Sequence, residues 1–491
     1  MAARKNHRCD WRDRAEALQS ELSTTRAELD QLKQKTGLLD ERIEALNKRL
    51  FGRRSERQRI PDINAEVRKQ RPSDPEQAKA KRRATDEQKK QIEAEPHRPD
   101  IPRAECHCEY CGDGPDDFHL IGSKTSTVYS MRPAKLIKRV HTRDTRACHC
   151  GKTIVSAPPP ERFGKSQYDA SVVAHLVTGK CSDSLPVARQ TEQLRRQGVP
   201  ASRATLNRVF LQAGRVLAPV ALRILALIAE SDIVLGDETP IRQQDQDGKG
   251  YFWTFGNGDL VAYVYSSNRS GETPKKVLGG TKGVLVVDGF TGYNVVTRPD
   301  GRDRAGCNSH ARRKFCEALA NAPEAQQVID LYTSVFVVER DARELAIMGT
   351  RQHLGMRKKR SAPAMQRMHA WLTQEQPRHL PKSKMGDAIG YALNNWKELT
   401  RFLSNAKIPV SNNLSEGQLR IVALGRKNYM SVGAESAGQS IAALYTLTAC
   451  CKRANIDPTA YLADVLRRLG RDPECSVDEL MPHRWKPLDT S

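Results

Sequence analysis

No uninterrupted apolar run in the sequence is long enough to cross a membrane. The most hydrophobic stretch, residues 216–229, is broken by Pro219 and Arg223, and the polar, basic N-terminal residues form no apolar signal core. These absences predict a cytoplasmic protein with no membrane partner.

Acidic side chains are in the minority. The 491 residues include 58 Asp and Glu against 80 Lys and Arg, which gives a formal net charge of +22 at pH 7. Because Lys and Arg neutralise phosphates and release counterions, this excess favours a polyanionic partner such as DNA. Charge alone is also compatible with a merely soluble basic protein. A chain of this length is expected to hold several domains.

The twelve cysteines are scattered over the chain. In a reducing compartment this distribution favours metal ligation where cysteines cluster and free thiols elsewhere. One cluster combines Cys108 and Cys111, at a zinc-knuckle spacing, with Cys148 and Cys150. Two thiolate pairs predict a structural zinc site, since four soft ligands leave no open position for a catalytic water. Free cysteines on a small β-rich element are the alternative.

Two buried strands are predicted to end at carboxylates. Residues 231–237 form a short apolar run that stops at Asp237, and residues 283–288 repeat the arrangement with Asp288. Between them, two β-rich runs flank an Asn-Gly turn and predict an antiparallel hairpin.

A third carboxylate, Glu416, follows the Ser and Asn residues at 411–413, which are residue types that cap helices. This pattern places Glu416 in the second turn of a helix. Three carboxylates held by two strands and a helix can bind a pair of divalent metal ions for phosphoryl transfer. Ordinary turn or cap carboxylates are the alternative, and Glu238 is an alternative to Asp237.

The N-terminal segment carries a heptad repeat. Its members alternate steps of four and three residues, and only two threonines among them are polar. A seam of this length predicts a self-associating coiled coil, with a long helix packed on its own protein as the alternative. The seam consists of Trp11, Ala15, Leu18, Leu22, Thr25, Leu29, Leu32, Thr36, Leu39, Ile43, Leu46 and Leu50.

A helix-turn-helix is predicted after the cysteine cluster. Residues 185–197 and 202–210 have helical patterns and are separated by a turn with Gly198 and Pro200. A generic helical bundle is the alternative. The candidate DNA-contacting side chains on the second helix are Arg203, Thr205, Asn207 and Arg208.

Further cations accompany the predicted carboxylates. As charge-assisted donors they could hold the scissile or flanking phosphates, whereas a solvated helix face is the alternative. The candidates are His310, Arg312, Arg313 and Lys314, which open a helix after the second acid, and Arg426 and Lys427, which follow the third.

Several strings of residues, taken in order, resemble the large transposase of the insertion sequence 66 family, a ribonuclease H-like enzyme of the Asp-Asp-Glu type. The resemblance covers nearly the full length and implies that Asp237, Asp288 and Glu416 are catalytic. It also implies that they bind two Mg²⁺ ions per active site, with Mn²⁺ as a substitute. The matching strings are residues 50–56, 236–239, 288–293, 310–315, 424–428 and 482–485, together with Asn412, Asn413 and Glu416.

The resemblance further implies a structural Zn²⁺ and partners that include double-stranded DNA, both terminal inverted repeats and target. Small accessory proteins of the same element are further candidate partners, and the location is nucleoid-associated. The family's second cysteine pair is normally Cys-x-x-Cys, so His149 and Cys106 are alternative ligands to the closer pair here. The chain also has Ser411 where the family usually has Asp, and Gly417 where it usually has Arg.

The predicted fold class is therefore multidomain, with an α/β ribonuclease H-like catalytic core as its centre. The predicted segments are a coiled-coil helix at 1–52, a basic linker at 53–100, a small β-rich zinc-binding module at 101–158, a helical helix-turn-helix DNA-binding region at 159–229, the catalytic core at 230–320 and 406–452, a helical insertion at 321–405, and a C-terminal helix and tail at 453–491.

The predicted function is that of a DNA transposase that binds the ends of an insertion sequence and catalyses metal-dependent strand cleavage and strand transfer. The alternative is a catalytically impaired, transposase-derived DNA-binding protein that occupies element ends without cutting. A ribonuclease acting on RNA–DNA hybrids is a third possibility.

Overall fold

The computed structural model describes residues 14–33, 36, 87, 94–132, 135–246, 248–297, 299–429 and 431–488. The fold is mixed α/β, and the chain divides into two compact units. The first unit comprises Met1–Pro72 and Cys307–Val410, and the second comprises Ser73–Gly306 and Ser411–Ser491.

The N-terminal seam is helical over residues 14–33, and all of these residues are exposed. Its leucines Leu18, Leu22, Leu29 and Leu32 have exposed fractions between 51% and 61%. Trp11, Leu39, Ile43, Leu46 and Leu50 lie outside the described residues, as does most of the predicted basic linker. The described leucines leave an apolar stripe in solvent, and self-association through it stays a prediction.

A four-stranded sheet is formed by the strands before, between and after the two cysteine pairs. Strands β2 (His119–Arg132) and β3 (Lys135–Ala147) form a long antiparallel pair. Strand β1 (Ala94–His97) pairs with β3 in parallel, and β4 (Ile154–Ser156) pairs with it antiparallel. The interval between the two cysteine pairs is thus β-rich, as predicted.

Three helices follow: α1 (Ala170–Cys181), α2 (Val187–Arg196) and α3 (Arg203–Ala229). Asp169 and Ser202 cap α1 and α3 by accepting hydrogen bonds from backbone N–H groups. Among the described residues, α3 alone is long and apolar enough to span a membrane by length and composition. Its buried residues belong to the main hydrophobic core, and core helices pass the same test.

The second unit is centred on a mixed sheet with the strand order β7-β6-β5-β8-β9. The predicted hairpin is confirmed, because β6 and β7 pair antiparallel around Gly258, which has a φ of +99°. Strands β5, β8 and β9 run parallel, and the short helices α4 and α5 lie in the connections. The bounds are β5 (Ile233–Gln243), β6 (Lys249–Gly256), β7 (Val261–Ser266), α4 (Glu272–Leu278), β8 (Val284–Val287), α5 (Asn294–Thr297) and β9 (Asp303–Gly306).

The chain returns to this sheet after residue 410. Helix α13 (Glu435–Arg453) is apolar over residues 441–451 and belongs to the main hydrophobic core. It packs on β7, where the Thr446 hydroxyl accepts a 2.9 Å hydrogen bond from the Tyr263 N–H. The bounds are α12 (Asn413–Tyr429), β10 (Ser431–Val432), which pairs with β5, α13 (Glu435–Arg453) and α14 (Pro458–Arg471).

The described part of the first unit beyond residue 306 is helical, and the predicted insertion at 321–405 lies within it. A buried salt bridge organises this part. Arg357 is fully buried; it donates to both carboxylate oxygens of Glu339 at 2.7 Å and to the Phe402 carbonyl at 2.8 Å. The bounds are α6 (Asn308–Ala318), α7 (Ala325–Glu344), α8 (Arg351–Met356), a π-helical turn (Arg357–Ser361), α9 (Ala362–Glu375), α10 (Lys384–Asn394) and α11 (Trp396–Thr400).

Candidate active site and metal centre

Asp237 on β5 and Asp288, directly after the parallel strand β8, are level with each other. The register of β5 and β8 pairs Ile233 with Val284 and Leu235 with Val286, an offset of 51 positions (284 − 233). The same offset separates Asp237 from Asp288, which follows the last residue of β8 directly. The sheet therefore brings the first two predicted acids to one place, as the sequence pattern indicated.

The third acid, Glu416, lies on α12 and interacts electrostatically with Asp237. Burial, together with the charges of Glu238, Asp288 and Glu416, raises the pKa of Asp237 to about 8. Glu416 is in the first turn of α12, one turn earlier than predicted, because the helix begins at Asn413. Carboxylates concentrated in this way are typical of functional sites.

Asn412 fixes the start of α12 to the strand that carries Asp237. Its side chain is fully buried, and its amide donates a 2.7 Å hydrogen bond to the Gly236 carbonyl. Its own carbonyl accepts the backbone N–H groups of Ser415 and Glu416 at 3.0 and 3.2 Å. One residue thus caps the helix and connects it to β5.

Glu238, the alternative to Asp237, is engaged elsewhere. Its side chain is 2% exposed and accepts a 2.6 Å hydrogen bond from the Tyr293 hydroxyl. Arg269 donates to it through Nε at 2.8 Å, and the Arg269 guanidinium also stacks 3.9 Å from the centre of the Phe290 ring. These partners neutralise Glu238, so Asp237 is the better candidate for holding a cation.

The loop after β8 is held by Arg304. Its guanidinium donates to the carbonyls of Asp288 and Phe290 and to the Asn294 side chain. The Asp288 carboxylate accepts the Phe290 N–H at 2.9 Å, which closes a tight turn. Asp288 is therefore oriented from both its backbone and its side chain.

The cations predicted near the acids fall in two places. His310, Arg312, Arg313 and Lys314 lie on α6 in the first unit, where Lys314 pairs with Asp387 at 2.7 Å. On α12, Lys427 is exposed, whereas Arg426 donates to the Pro240 carbonyl at 2.6 Å and holds α12 against β5. Arg426 therefore has a structural role. Contact of the other five predicted cations with DNA stays a prediction.

The candidate DNA-contacting residues of the helix-turn-helix lie on the first two turns of α3. Arg203 and Arg208 are exposed, and Thr205 and Asn207 are half-buried. The turn between α2 and α3 contains Gly198, whose φ of +79° favours glycine. The predicted arrangement of helix, turn and helix is present, and its use for DNA stays a prediction.

The sulfurs of Cys108, Cys111, Cys148 and Cys150 all lie within 4.8 Å of one another. Sulfurs around a tetrahedral zinc ion with bonds of about 2.3 Å are roughly 3.8 Å apart, and Cys108 and Cys150 are separated by 3.6 Å. The Thr153 hydroxyl donates to the Cys108 sulfur, which lowers the pKa of that thiol to about 6. The four cysteines can hold a metal ion, and neither His149 nor Cys106 belongs to the group.

Comparison with known proteins identifies the family. Residues 165–440 match the model of the transposase IS66 family, and residues 446–483 match the IS66 C-terminal element. The chain belongs to the IS66 transposase family. Two similar proteins of Sinorhizobium fredii (strain NBRC 101917 / NGR234) carry the names uncharacterized protein y4jD and y4hP. The protein y4jD is 31% identical, over 75% of this chain and 76% of its own length. The protein y4hP is 30% identical, over 78% of this chain and 74% of its own length.

The transposase core also contains residues to which the sequence patterns assigned no supporting role. Arg304 holds the loop of Asp288, Asn412 holds the start of α12, and Arg269 holds Glu238. Tyr293 and Asn412 belong to the sequence motifs that resemble the family, so the resemblance could have identified them as functional residues. Neither Arg269 nor Arg304 has a local pattern that separates it from a surface cation.

Proposed function

We propose that this IS66-family transposase binds the ends of an insertion sequence and catalyses metal-dependent DNA cleavage and strand transfer. The placement of Asp237 on β5 and of Asp288 directly after the neighbouring parallel strand β8, with Glu416 on α12 acting on Asp237, carries the proposal. The mixed sheet that holds them would be the ribonuclease H-like core.

The three carboxylates fit a pair of Mg²⁺ ions, or Mn²⁺, because hard divalent cations prefer carboxylate oxygens. The raised pKa of Asp237 supports this fit, because burial and the nearby charges of Glu238, Asp288 and Glu416 disfavour a further negative charge, which bound cations would compensate. Such ions, when bound, activate water or a DNA 3′-hydroxyl and stabilise the leaving oxygen of an in-line displacement. The protein's part is to orient the acids, through Arg304 at Asp288 and Asn412 at Glu416.

The other segments supply binding. The first turns of α3 would contact terminal repeats, the four-cysteine group would hold structural zinc, and the leucine stripe on residues 14–33 would pair two copies. Arg312, Arg313 and Lys427 would hold the DNA backbone. A protein of this kind acts in the cytoplasm at the nucleoid, and small accessory proteins of the element are candidate partners.

Gly417 motivates the alternative of a DNA-binding protein that does not cut. It follows Glu416 on α12, and glycine inside a helix costs roughly 1 kcal/mol relative to alanine. The decisive experiment is a Mg²⁺-dependent nicking assay on the element's terminal inverted repeats with wild-type protein and the Asp237→Asn, Asp288→Asn and Glu416→Gln variants. Cleavage by the wild type alone supports a transposase.

Matched binding measurements complete this test. The three variants should retain DNA binding, because removing negative charge near phosphates does not weaken association. Glu435→Gln, at an exposed acid that begins α13, is the control and should cut normally. Tight binding to the repeats without cleavage by the wild type would favour the alternative, and full cleavage by Glu416→Gln would remove Glu416 from the site.

A further inference from the structure

A cavity of about 770 Å³ lies in the second unit, away from the three acids. It is bounded by the cysteine-containing sheet, the three prolines at 158–160 and helices α1, α3 and α14. Four guanidinium groups face two carboxylates, so its lining is positively charged. The charged residues are Arg139, Arg162, Arg467, Arg471, Glu161 and Asp169.

Both carboxylates of the cavity are already engaged. Glu161 accepts a hydrogen bond from Arg471 and lies 3.8 Å from Arg467. Asp169 caps α1, where it accepts the Ser171 N–H at 3.0 Å. The negative charges of the lining are thus used within the protein.

Two of the four cations form no salt bridge with the lining acids. Arg139 and Arg162 are exposed, and in the described part of the chain neither forms a salt bridge, although the charge of Arg139 also acts on Asp169. Both act on the buried His141, whose ring meets that of His97 edge to face at 4.9 Å. Burial lowers the pKa of His141, and the three neighbours His97, Arg139 and Arg162 lower it further. The groups around His141 therefore repel a positive charge and leave a place for an anion.

The cavity is continuous with the surface predicted to contact DNA. Gln212 lies in its wall on α3, four residues after Arg208, and residues at this spacing share one helix face. Phe163 and the prolines add apolar wall, which suits the sugars between phosphates. A free phosphate would use the cations but neither the apolar wall nor this continuity, so the lining favours a DNA strand.

We propose that this cavity binds the sugar–phosphate backbone of DNA, with Arg139 and Arg162 donating to phosphate oxygens. The inference rests on the proposed function, in that it requires a chain that binds DNA, and it adds a contact region outside the helix-turn-helix and the three acids. Backbone contacts of this kind position DNA and carry no sequence information.

The test uses the full chain and a labelled 40-base-pair duplex of random sequence, with affinity measured by fluorescence anisotropy over a range of salt concentrations. Each of Arg139→Gln and Arg162→Gln should weaken binding and reduce the slope of log affinity against log salt by about 1. Arg162→Lys keeps the charge and should keep the slope. Arg103→Gln is the matched control, because Arg103 is exposed, pairs with Asp116 and lies outside the cavity.

Each outcome bears on a different statement. The double variant combines Arg139→Gln with Arg162→Gln. If the wild type binds the duplex and the double variant has the same affinity and the same salt dependence, the cavity proposal is overturned and the proposed function stands. Equal losses in Arg103→Gln would also overturn it, since the effect would then be one of overall charge. Weaker pyrophosphate binding by Arg139→Gln than by wild type, with unchanged duplex affinity, would assign the cavity to a small anion instead. Wild-type protein that binds no DNA would remove both proposals.

Discussion

The side-chain amide of Asn412 donates a 2.7 Å hydrogen bond to the carbonyl of Gly236. This contact joins the residue before Asp237 to the residue before α12, across 176 positions of sequence. Because Asn412 is fully buried, water cannot replace the bond if it is lost. Asn412, which is itself no candidate for catalysis, therefore helps to fix Glu416 relative to Asp237 at the start of α12, and Arg426 holds the same helix farther along.

Replacing Asn412 tests this dependence. Asn412→Leu leaves the Gly236 carbonyl without its partner, at a cost of about 1–3 kcal/mol of unfolding free energy. We expect cleavage to fall more than the stability loss explains, because the helix that carries Glu416 shifts. Urea unfolding and single-turnover cleavage measure the two effects. Asn413→Ala, at the exposed neighbouring residue, is the control; equal losses in both variants would mean that Asn412 has no special role.

The raised pKa of Asp237 predicts how the metal-free protein responds to pH. The folded pKa of about 8 exceeds the ordinary value of 3.8 for an Asp carboxyl, so the folded state binds the proton more tightly. Its contribution to stability is complete below about pH 4 and is lost as the pH rises through 8. Asp237→Asn should flatten this dependence and melt at a higher temperature than wild type at pH 8.

Divalent metal ions extend the same experiment. Adding Mg²⁺ or Mn²⁺ should raise the melting temperature of the wild type, since a ligand that binds only the folded state stabilises it. The melting temperature of Asp237→Asn should change little on addition of metal. Glu435→Gln should match the wild type in both its pH dependence and its response to metal. An identical metal response in wild type and Asp237→Asn would separate Asp237 from any metal site.

The acids and their scaffold could be predicted because their signals are local. An apolar run that stops at Asp288 marks a strand end, and an Asn-Gly turn marks the hairpin. The strand end predicted at Asp237 is wrong, because β5 continues to Gln243 through its pairing with β6. The supporting contacts are not local: Glu238 meets Arg269 and Tyr293 at separations of 31 and 55 residues. No periodicity encodes such pairs. The error of one turn at Glu416 has a local cause, because several adjacent Ser and Asn residues could each have started the helix.

The four-cysteine group predicts about one zinc ion per purified chain. Cys108→Ser should lose the metal and unfold the small sheet, because thiolate binding energy is folding energy in modules of this size. Elemental analysis and limited proteolysis measure both effects. Cys316→Ser, at an exposed cysteine on α6, should change neither. Fresh wild-type protein without zinc would contradict the prediction.

The exposed leucine stripe predicts self-association through residues 14–33. Leu22→Lys with Leu29→Lys places charges in the seam and should lower the molar mass measured by light scattering. Ser20→Lys with Ala27→Lys adds the same charge on the opposite face of the helix and should leave the mass unchanged. A mass that is equal in wild type and both variants would show that the stripe does not hold the oligomer together.

Gly417 permits a test of whether α12 limits activity. The residue is exposed, and a Cβ atom there would meet no heavy atom within 4 Å, so larger side chains fit without strain. Gly417→Ala should stabilise the helix by about 1 kcal/mol through the backbone alone, and Gly417→Arg adds a cation beside Glu416. If a loose helix limits the reaction, both variants should raise the cleavage rate. A rise with Arg alone would instead assign the effect to charge, since alanine supplies the same helix preference. Rescue of an inactive wild type by Gly417→Arg would mean that the chain retains its acids and its DNA contacts but has lost the support of Glu416.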